Sequence, residues 1–265
     1  MESVLLIGCG AIGLEVTKKL RCDPNIRVDQ ILVRPGKEHT VSPEISDFVR
    51  VITSTDELDV APSFVLECAS HQAVEEYGPY FLKRGVDLGV ISIGALSNIE
   101  LFDRLNSSSY EGNSRVFIVP GAIGGVDALA AAGIENLDNV IYTSRKSPKS
   151  WIPSPAEDLF DLPNIKEATI IFKGTARDAA NFYPKNANVA ATIALAGLGF
   201  EKTQVTLIAD PNTTVNTHHL LASGTFGELD VTIKGNPLKN NPKSSSLTAY
   251  SAIRMLRNRA NNFCM

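Results

Sequence analysis

Three glycines near the beginning of the chain have the spacing of a phosphate-binding turn. Gly8, Gly10 and Gly13 directly follow the apolar run Val4–Ile7 and open a helical pattern over Leu14–Leu20. The first glycine permits a tight bend, the second lets the backbone approach a pyrophosphate, and the third lets helix and strand pack closely. A turn used only for packing is the alternative, but the position at the first strand–helix junction favours a dinucleotide, NADP or NAD. The predicted contacts are Gly8, Gly10, Ala11, Ile12 and Gly13.

The end of the second predicted strand bears on which dinucleotide binds. An acidic residue there usually binds the ribose hydroxyls of NAD, but here Arg34 follows the apolar run. A guanidinium can stack on adenine and pair with a 2′-phosphate. Asp29 lies too early in the strand to substitute for the missing acid. We therefore expect NADP or dual use, with a solvated loop arginine as the alternative.

Small residues follow the fourth predicted strand. Cys68, Ala69 and Ser70 come directly after Phe64–Glu67. Ligands of open parallel sheets bind outside the carboxyl ends of the strands, where small side chains leave room for the nicotinamide half of a cofactor. The Cys68 thiol has no activating partner that the sequence identifies, so we interpret Cys68 as a small cofactor-contacting residue rather than a nucleophile.

Polar clusters in the second half could carry chemistry of a different kind. Asn186 and Asn188 stand at the entrance of an Ala-rich helix, where asparagine caps a helix or binds a carboxamide; for Asn186 the cap is favoured. His218 and His219 lie in a strand pattern, so they face opposite ways and only one can reach a given cleft. Their residue types alone leave open whether either histidine is structural or catalytic.

The elements that must position these residues change in character along the chain. The first 120 residues alternate β-branched runs with helical segments, which indicates a parallel sheet covered on both faces. The predicted strands are Val4–Ile7, Val28–Val33, Val49–Ile52, Phe64–Glu67, Val86–Ile93 and Val116–Val119. Beyond Pro120, glycine-rich turns, a proline-rich loop and antiparallel strand patterns indicate a second sheet. The predicted fold class is therefore α/β, a Rossmann-type doubly wound sheet with a second, α+β domain.

Three segments follow from this pattern. Residues 1–120 form the predicted dinucleotide-binding domain, residues 121–244 the α+β catalytic domain that binds substrate, and residues 245–265 a C-terminal helix that packs back on the first domain.

Composition excludes several classes of function. Lys plus Arg is 25 and Asp plus Glu is 29, giving a net charge of −4, which argues against a nucleic-acid-binding protein. The cysteines at 9, 22, 68 and 264 are far apart, so we expect neither a disulfide scaffold nor a metal site. The same cysteine pattern favours a reduced, cytoplasmic location. The longest weakly charged stretch is interrupted by Pro120 and several glycines, so we expect no membrane segment.

Seven motifs together resemble the L-aspartate dehydrogenase family, in order and spacing across nearly the whole chain. They are Gly8–Gly13, Glu67–Ser70, Gly121–Asp127, Pro184–Thr192, Ala209–Pro211, Asn216–His218 and Asn241–Ser245. The resemblance implies oxidative deamination of L-aspartate to iminoaspartate with NADP or NAD, reversibly from oxaloacetate and ammonia. It also implies a homodimer and a supply of iminoaspartate to NAD biosynthesis.

The resemblance assigns roles to individual residues. The family's active-site histidine falls on His218, in the pattern Asn-x-His, and its cofactor contacts fall on Ala122 and Asn188. We expect His218 to be a general base with a pKa near the working pH. The two substrate carboxylates need cationic partners, for which Lys185 and Lys243 are the candidates. Ser244 replaces a common threonine and Tyr183 a common phenylalanine of the family, both mild departures.

Two other functions remain open at this point. The first is a related two-domain dehydrogenase or reductase acting on homoserine or dihydrodipicolinate, which shares the domain plan but not the P-K-N-x-N-V-A-A block. The second is a non-catalytic NAD(P)-binding redox sensor, which would not need the His218 constellation. Turnover with L-aspartate, with homoserine or with neither separates the three.

Overall fold

The chain forms two compact units. The computed structural model describes residues 1–238 and 241–264, except for the side chains of Pro242 and Lys243. One unit comprises Met1–Val119 together with the chain from Thr248, and the other comprises Pro120–Leu247. We call them unit 1 and unit 2. The side chain of Lys243, a predicted carboxylate ligand, lies outside the described residues.

Unit 1 is built on a six-stranded parallel sheet. Its strands are β1 (Glu2–Ile7), β2 (Ile26–Leu32), β3 (Arg50–Ile52), β4 (Phe64–Glu67), β5 (Asp87–Val90) and β6 (Val116–Ile118), in the order β3-β2-β1-β4-β5-β6. The helices α1 (Ala11–Leu20), α2 (Pro43–Ser46), α3 (His71–Leu82) and α4 (Ile99–Gly112) connect them. The strand order reverses at β1, which places a ligand crevice outside the carboxyl ends of β1 and β4. The predicted doubly wound sheet is confirmed.

The strand β5 is considerably shorter than the apolar run that predicts it. The sequence predicts a strand over Val86–Ile93, whereas β5 ends at Val90. The backbone N–H groups of Ile91 and Ser92 donate to the Glu67 carboxylate at 3.3 and 2.9 Å. The Glu67 carboxylate thus accepts hydrogen bonds from the two backbone N–H groups that directly follow β5.

Unit 2 contains a mixed five-stranded sheet. Its strands are β7 (Leu137–Lys146), β8 (Thr169–Thr175), β9 (Gln204–Ala209), β10 (Asn216–Gly224) and β11 (Gly227–Gly235), in the order β11-β10-β7-β9-β8. Only β7 and β9 pair in parallel. Helices α5 (Val126–Ala132), α6 (Ala156–Leu159), α7 (Ala176–Phe182) and α8 (Asn188–Ala196) accompany the sheet, and β12 (Pro237–Leu238) pairs with β13 (Asn241–Ser245).

The side chains of β7 alternate between a buried and a less buried face. Val140, Tyr142, Ser144 and Lys146 are buried, and the residues between them are more exposed. The same alternation buries His218 in β10. Since side chains on a strand alternate with a period of two, β7 and β10 bring tyrosine, lysine and histidine to one face of the sheet.

The last helix, α9 (Ser246–Ala260), packs into the core of unit 1. Ala252, Ile253 and Leu256 are buried against the same apolar cluster as Leu6 and Leu66. Arg259 adds an ion pair to Asp87 at 2.7 Å. No helix in the described ranges has the length and apolar character needed to cross a membrane.

Candidate active site

The β1–α1 turn has the shape of a phosphate cradle. Gly8 has a φ of +87°, and a Cβ on it would lie 2.6 Å from the Cβ of Ala69. A Cβ on Gly13 would lie 2.6 Å from the carbonyl oxygen of Gly8, whereas a Cβ on Gly10 would meet nothing within 4 Å. The first and third glycines are therefore required by packing inside the protein. The second leaves open space beside the N-terminus of α1, where helical N–H groups have no intrahelical acceptor.

The buried carboxylate of Glu67 fixes the turns that border this cradle. Its Oε1 accepts hydrogen bonds from the N–H groups of Ala69 at 2.7 Å and Ser70 at 2.8 Å, and from the hydroxyl of Ser92 at 2.8 Å. Its Oε2 accepts from the N–H groups of Ile91 and Ser92. Burial raises the pKa of Glu67, and these donors oppose the rise. One side chain thus orders the ends of both β4 and β5.

The two thiols near the cradle are kept protonated. Burial raises the pKa of Cys68 well above its usual value, and the charge of Glu67 adds to the effect. Burial also raises the pKa of Cys9. Because the thiolate is the nucleophilic form, this environment suits a packing or contact role for Cys68 and not nucleophilic catalysis.

Arg34 lies two residues beyond the end of β2. Its side chain is exposed, and its carbonyl oxygen accepts from Lys37 N–H at 3.0 Å in a turn that contains Gly36. Asp29 pairs with Arg27 and accepts a hydrogen bond from Ser3, so its carboxylate is engaged within the sheet. The position after β2 therefore presents a cation.

These observations fit a dinucleotide. The space beside Gly10, the free N–H groups of α1 and the absence of an acidic residue from the first turn of that helix suit a pyrophosphate. The small residues Cys68, Ala69 and Ser70 adjoin the same turn, since Ala69 packs directly on Gly8.

In unit 2, His218 is buried beside a tyrosine. The Tyr142 hydroxyl lies 2.7 Å from Nδ1 of His218, and the two rings are nearly parallel. His218 pairs with Ser144 across the β10–β7 ladder, and Leu220 pairs with Tyr142. The tyrosine thus sits diagonally from the histidine on the same face. His219 points the other way, is about one-third exposed and contacts Asp230 at 3.0 Å.

A buried lysine, Lys146, lies on the same face of the unit 2 sheet as Tyr142 and His218, and the three residues form a buried cluster. Lys146 is 5% exposed, and its Nζ donates to Oδ1 of Asn186 at 3.3 Å. The same Nζ lies 5.3 Å from the centre of the Trp151 ring. Among the residues that the structure describes, no group of three or more His, Cys, Asp or Glu side chains is arranged to bind a metal ion.

Comparisons with known proteins give the family. Residues 127–259 match the model "Aspartate dehydrogenase, C-terminal", and residues 8–119 match "Homoserine dehydrogenase, NAD binding domain". An L-aspartate dehydrogenase of Cupriavidus necator is 48% identical over 98% of both chains. The chain belongs to the L-aspartate dehydrogenase family. The predicted family is confirmed, and unit 1 is the NAD(P)-binding part of an oxidoreductase.

Solved structures agree with this assignment. The aspartate dehydrogenase of Thermotoga maritima is 32% identical with a TM-score of 0.76, covering 100% of this chain and 99% of that one. A hyperthermophilic archaeal homoserine dehydrogenase in complex with NADPH has a TM-score of 0.61 at 13% identity, covering 98% and 97% of the two chains. The second likeness shows the fold alone.

The pKa of His218 in this aspartate dehydrogenase family member differs from the value that the sequence analysis predicts. Burial and, to a smaller extent, the nearby charge of Lys146 together lower the pKa of His218 to about 3. The expectation of an imidazole pKa near the working pH is therefore wrong for the ligand-free protein. Burial also lowers the pKa of Lys146, to about 8. Burial raises the pKa of Tyr142, and the Ser144 hydroxyl opposes that rise.

The other residues predicted for unit 2 have varied surroundings. Ala122 is buried in the turn that precedes α5, and Asn188 is the first residue of α8. The expected cap by Asn186 is wrong, because α8 has no side-chain cap and Asn186 instead accepts from Lys146. Lys185 is exposed in the short turn before α8.

Sequence reasoning missed Tyr142 and Lys146. The sequence pattern predicts a strand over Asn139–Arg145, which stops one residue before Lys146, whereas β7 includes Lys146. Extending the alternation from Val140 through Tyr142 and Ser144 would have placed Lys146 on the buried face. A lysine at a core-facing strand position is rare, and that was the available signal.

Proposed function

We propose that the protein is an NAD(P)-dependent L-aspartate dehydrogenase. It converts L-aspartate to iminoaspartate, which hydrolyses to oxaloacetate and ammonia, and it runs the reaction in either direction. The observation that carries the proposal is the buried cluster of His218, Tyr142 and Lys146, in a chain whose relatives over its full length carry this name. A histidine and a lysine on one sheet face suit a substrate that bears an ammonium group and two carboxylates.

We propose residues 1–120 as the cofactor-binding domain, residues 121–244 as the catalytic domain, and residues 245–265 as a helix belonging to the first. The glycine turn, Arg34 and Cys68–Ser70 bind the cofactor, with Ala122 and Asn188 as contacts from the second domain. Bound NAD(P)⁺ supplies the acceptor for the hydride that leaves the substrate α-carbon. The exposed guanidinium of Arg34 supports use of NADP, which a steady-state comparison of NADP with NAD tests directly.

His218 accepts the proton that the substrate ammonium must lose before the α-carbon can be oxidised. This role needs Nε2 unprotonated, so Nδ1–H donates to the Tyr142 oxygen. A substrate carboxylate beside the imidazole stabilises its protonated form and raises its pKa from the low value of the free protein. Substrate binding thus prepares the base that the reaction requires. Lys185 and Lys243 remain candidates for contacts to the substrate carboxylates.

The direct assay adds purified protein to L-aspartate with NADP or NAD and follows the absorbance of the reduced cofactor. Reduction with L-aspartate, and oxidation of reduced cofactor by oxaloacetate with ammonia, are expected. Turnover with homoserine but not aspartate would replace this proposal by the related dehydrogenase. Tight cofactor binding without turnover of any amino acid would indicate a redox sensor.

Three further properties follow from family membership as proposals. We propose a homodimer, a cytoplasmic location and delivery of iminoaspartate to NAD biosynthesis. The free thiols of Cys9, Cys22, Cys68 and Cys264 support a reducing compartment. Light scattering during size-exclusion chromatography tests the dimer, and a monomer at micromolar concentration contradicts it.

A further inference from the structure

Lys146 is a buried cation without a counter-charge. Its side chain is almost completely removed from water, yet none of the ion pairs among residues 1–238 and 241–264 includes it. Burial of an ammonium group is costly unless the charge is paired and hydrogen-bonded. The cost appears as a pKa lowered to about 8.

The neighbours of Lys146 solvate it only in part. The Asn186 amide supplies one oxygen at 3.3 Å, and the Trp151 ring supplies a π face at 5.3 Å. Both are neutral, so the ammonium still lacks an anion. An ammonium has three N–H donors, and only the bond to Asn186 accounts for one of them in the described structure.

The acidic residue adjoining the end of β7 is already engaged elsewhere. The backbone N–H of Asp210 donates to the Lys146 carbonyl at 2.9 Å. Its carboxylate instead accepts from Arg145 at 2.8 Å and from the N–H of Asn212 at 2.9 Å. Arg145 and Lys146 point to opposite faces of β7. Asp210 therefore neutralises the neighbouring arginine and leaves Lys146 for another anion.

Lys146 also lies within electrostatic reach of the imidazole. Lys146, Ser144 and Tyr142 follow one another along the buried face of β7, and His218 is paired with Ser144 in the ladder. The charge of Lys146 acts on the titration of His218. A ligand held by the lysine would consequently lie beside the histidine.

We propose that Lys146, assisted by Asn186, binds a carboxylate of the dicarboxylic substrate and so selects an acidic amino acid. The inference rests on the proposed aspartate dehydrogenase activity and deepens it. The carboxylate supplies the missing counter-charge, and the side chain acts by charge and hydrogen bonding without giving up its proton. A lysine acting as the general base is the competing role.

The test measures binding of succinate, a dicarboxylate that carries no amine and is not oxidised. Isothermal titration calorimetry is performed on the full-length protein with and without saturating NADP⁺. Loss of a hydrogen bond to a charged group weakens binding by about tenfold to a hundredfold. Lys146→Met is expected to show this loss, Lys146→Arg a smaller one, and Lys173→Met, which removes an exposed lysine from β8, none. Wild-type affinity in Lys146→Met, or no succinate binding by the wild type in either condition, overturns the proposal.

Asn186→Ala is the second test variant if Lys146→Met does not fold. Asn186 is only half-buried, so its substitution should leave the fold intact. It is expected to weaken succinate binding in the same direction, and unchanged affinity contradicts the proposal. Kinetics separate the two roles of the lysine. Anion binding predicts a raised KM for L-aspartate that Lys146→Arg partly restores, whereas a base role predicts lost kcat, unrestored by arginine, with succinate affinity intact. Lysine-dependent succinate binding without aspartate turnover would refute only the proposed activity.

Discussion

The Tyr142 hydroxyl lies 2.7 Å from Nδ1 of His218, with both side chains buried on one face of the unit 2 sheet. This contact determines the orientation of the imidazole and leaves Nε2 as the nitrogen available to a ligand. Burial raises the pKa of Tyr142 and so keeps its hydroxyl protonated. The pair is therefore a neutral hydrogen-bonded unit, in which the tyrosine positions the histidine.

Removing that hydroxyl should slow the enzyme without abolishing it. Tyr142→Phe deletes one hydrogen bond, whose usual net value of about 0.5–1.5 kcal/mol corresponds to roughly a 2- to 13-fold fall in kcat. The pH profile of kcat should shift as well, because the imidazole loses a partner. Tyr110→Phe is the control, since Tyr110 is 82% exposed. An unchanged rate and profile in Tyr142→Phe would argue against a positioning role.

The buried histidine should also make folding sensitive to acid. The pKa of His218 is about 3 in the folded protein, against 6.5 for an ordinary histidine, so the unfolded chain binds the proton more tightly. Stability from this group is complete above pH 6.5 and is lost as the pH falls toward 3. Between pH 6.5 and pH 5 the loss is roughly 2 kcal/mol.

Urea unfolding at pH 7 and pH 5 measures this effect. His218→Gln should lose less stability between the two pH values than the wild type, whereas His219→Gln should behave like the wild type. His219 is the matched control because it is the next residue of the same strand but is partly exposed. Identical pH dependence in His218→Gln and the wild type would mean that the imidazole is not buried in its neutral form.

Even glutamine, which has the same shape as glutamate, should not be able to replace Glu67. Glu67→Gln turns an NH₂ group toward backbone N–H donors that now meet a carboxylate oxygen. Leaving such donors unsatisfied costs about 1–3 kcal/mol, and the turns that carry Ala69 and Ser70 should loosen. The expected results are a lower denaturation midpoint and weaker NADP⁺ binding by calorimetry. Glu100→Gln, at an exposed position, should change neither quantity; a stable Glu67→Gln with full cofactor affinity would contradict this account.

Substitutions of Gly8 and of Gly10 in the β1–α1 turn should have different effects. Gly8→Ala places a Cβ 2.6 Å from that of Ala69 at a φ of +87°, so it should lower the stability of the protein. Gly10→Ala meets nothing within 4 Å, so folding should be unchanged while NADP⁺ binding weakens. Thermal unfolding and calorimetry distinguish the outcomes. Full cofactor affinity in Gly10→Ala would place the pyrophosphate elsewhere.

The sequence was most informative where a local pattern has one structural solution. Continuous apolar runs predict the strands of unit 1 because both faces of a parallel sheet are buried. The glycine spacing identifies the β1–α1 turn for the same local reason, and alternation in β10 correctly separates His218 from His219. Each of these features depends on residues adjacent in the chain.

The remaining features depend on contacts between distant segments. Asn186 lies 40 residues from Lys146, and Tyr142 lies 76 residues from His218. The low pKa of His218 arises from burial by the whole of unit 2, which no motif encodes. Lys185 and Lys243 are the predicted carboxylate ligands because the substrate carboxylates need cationic partners. Lys146 is missing from that prediction, because a lysine is seldom buried and its position on the core face of β7 is set by the whole sheet.

The central claim is that His218 moves the substrate proton, and steady-state kinetics with L-aspartate and NADP⁺ test it most directly. His218→Gln should lower kcat by roughly 10²–10⁴ while cofactor affinity, measured by calorimetry, is retained. His219→Gln should turn over at the wild-type rate. Wild-type kcat in His218→Gln would contradict the account.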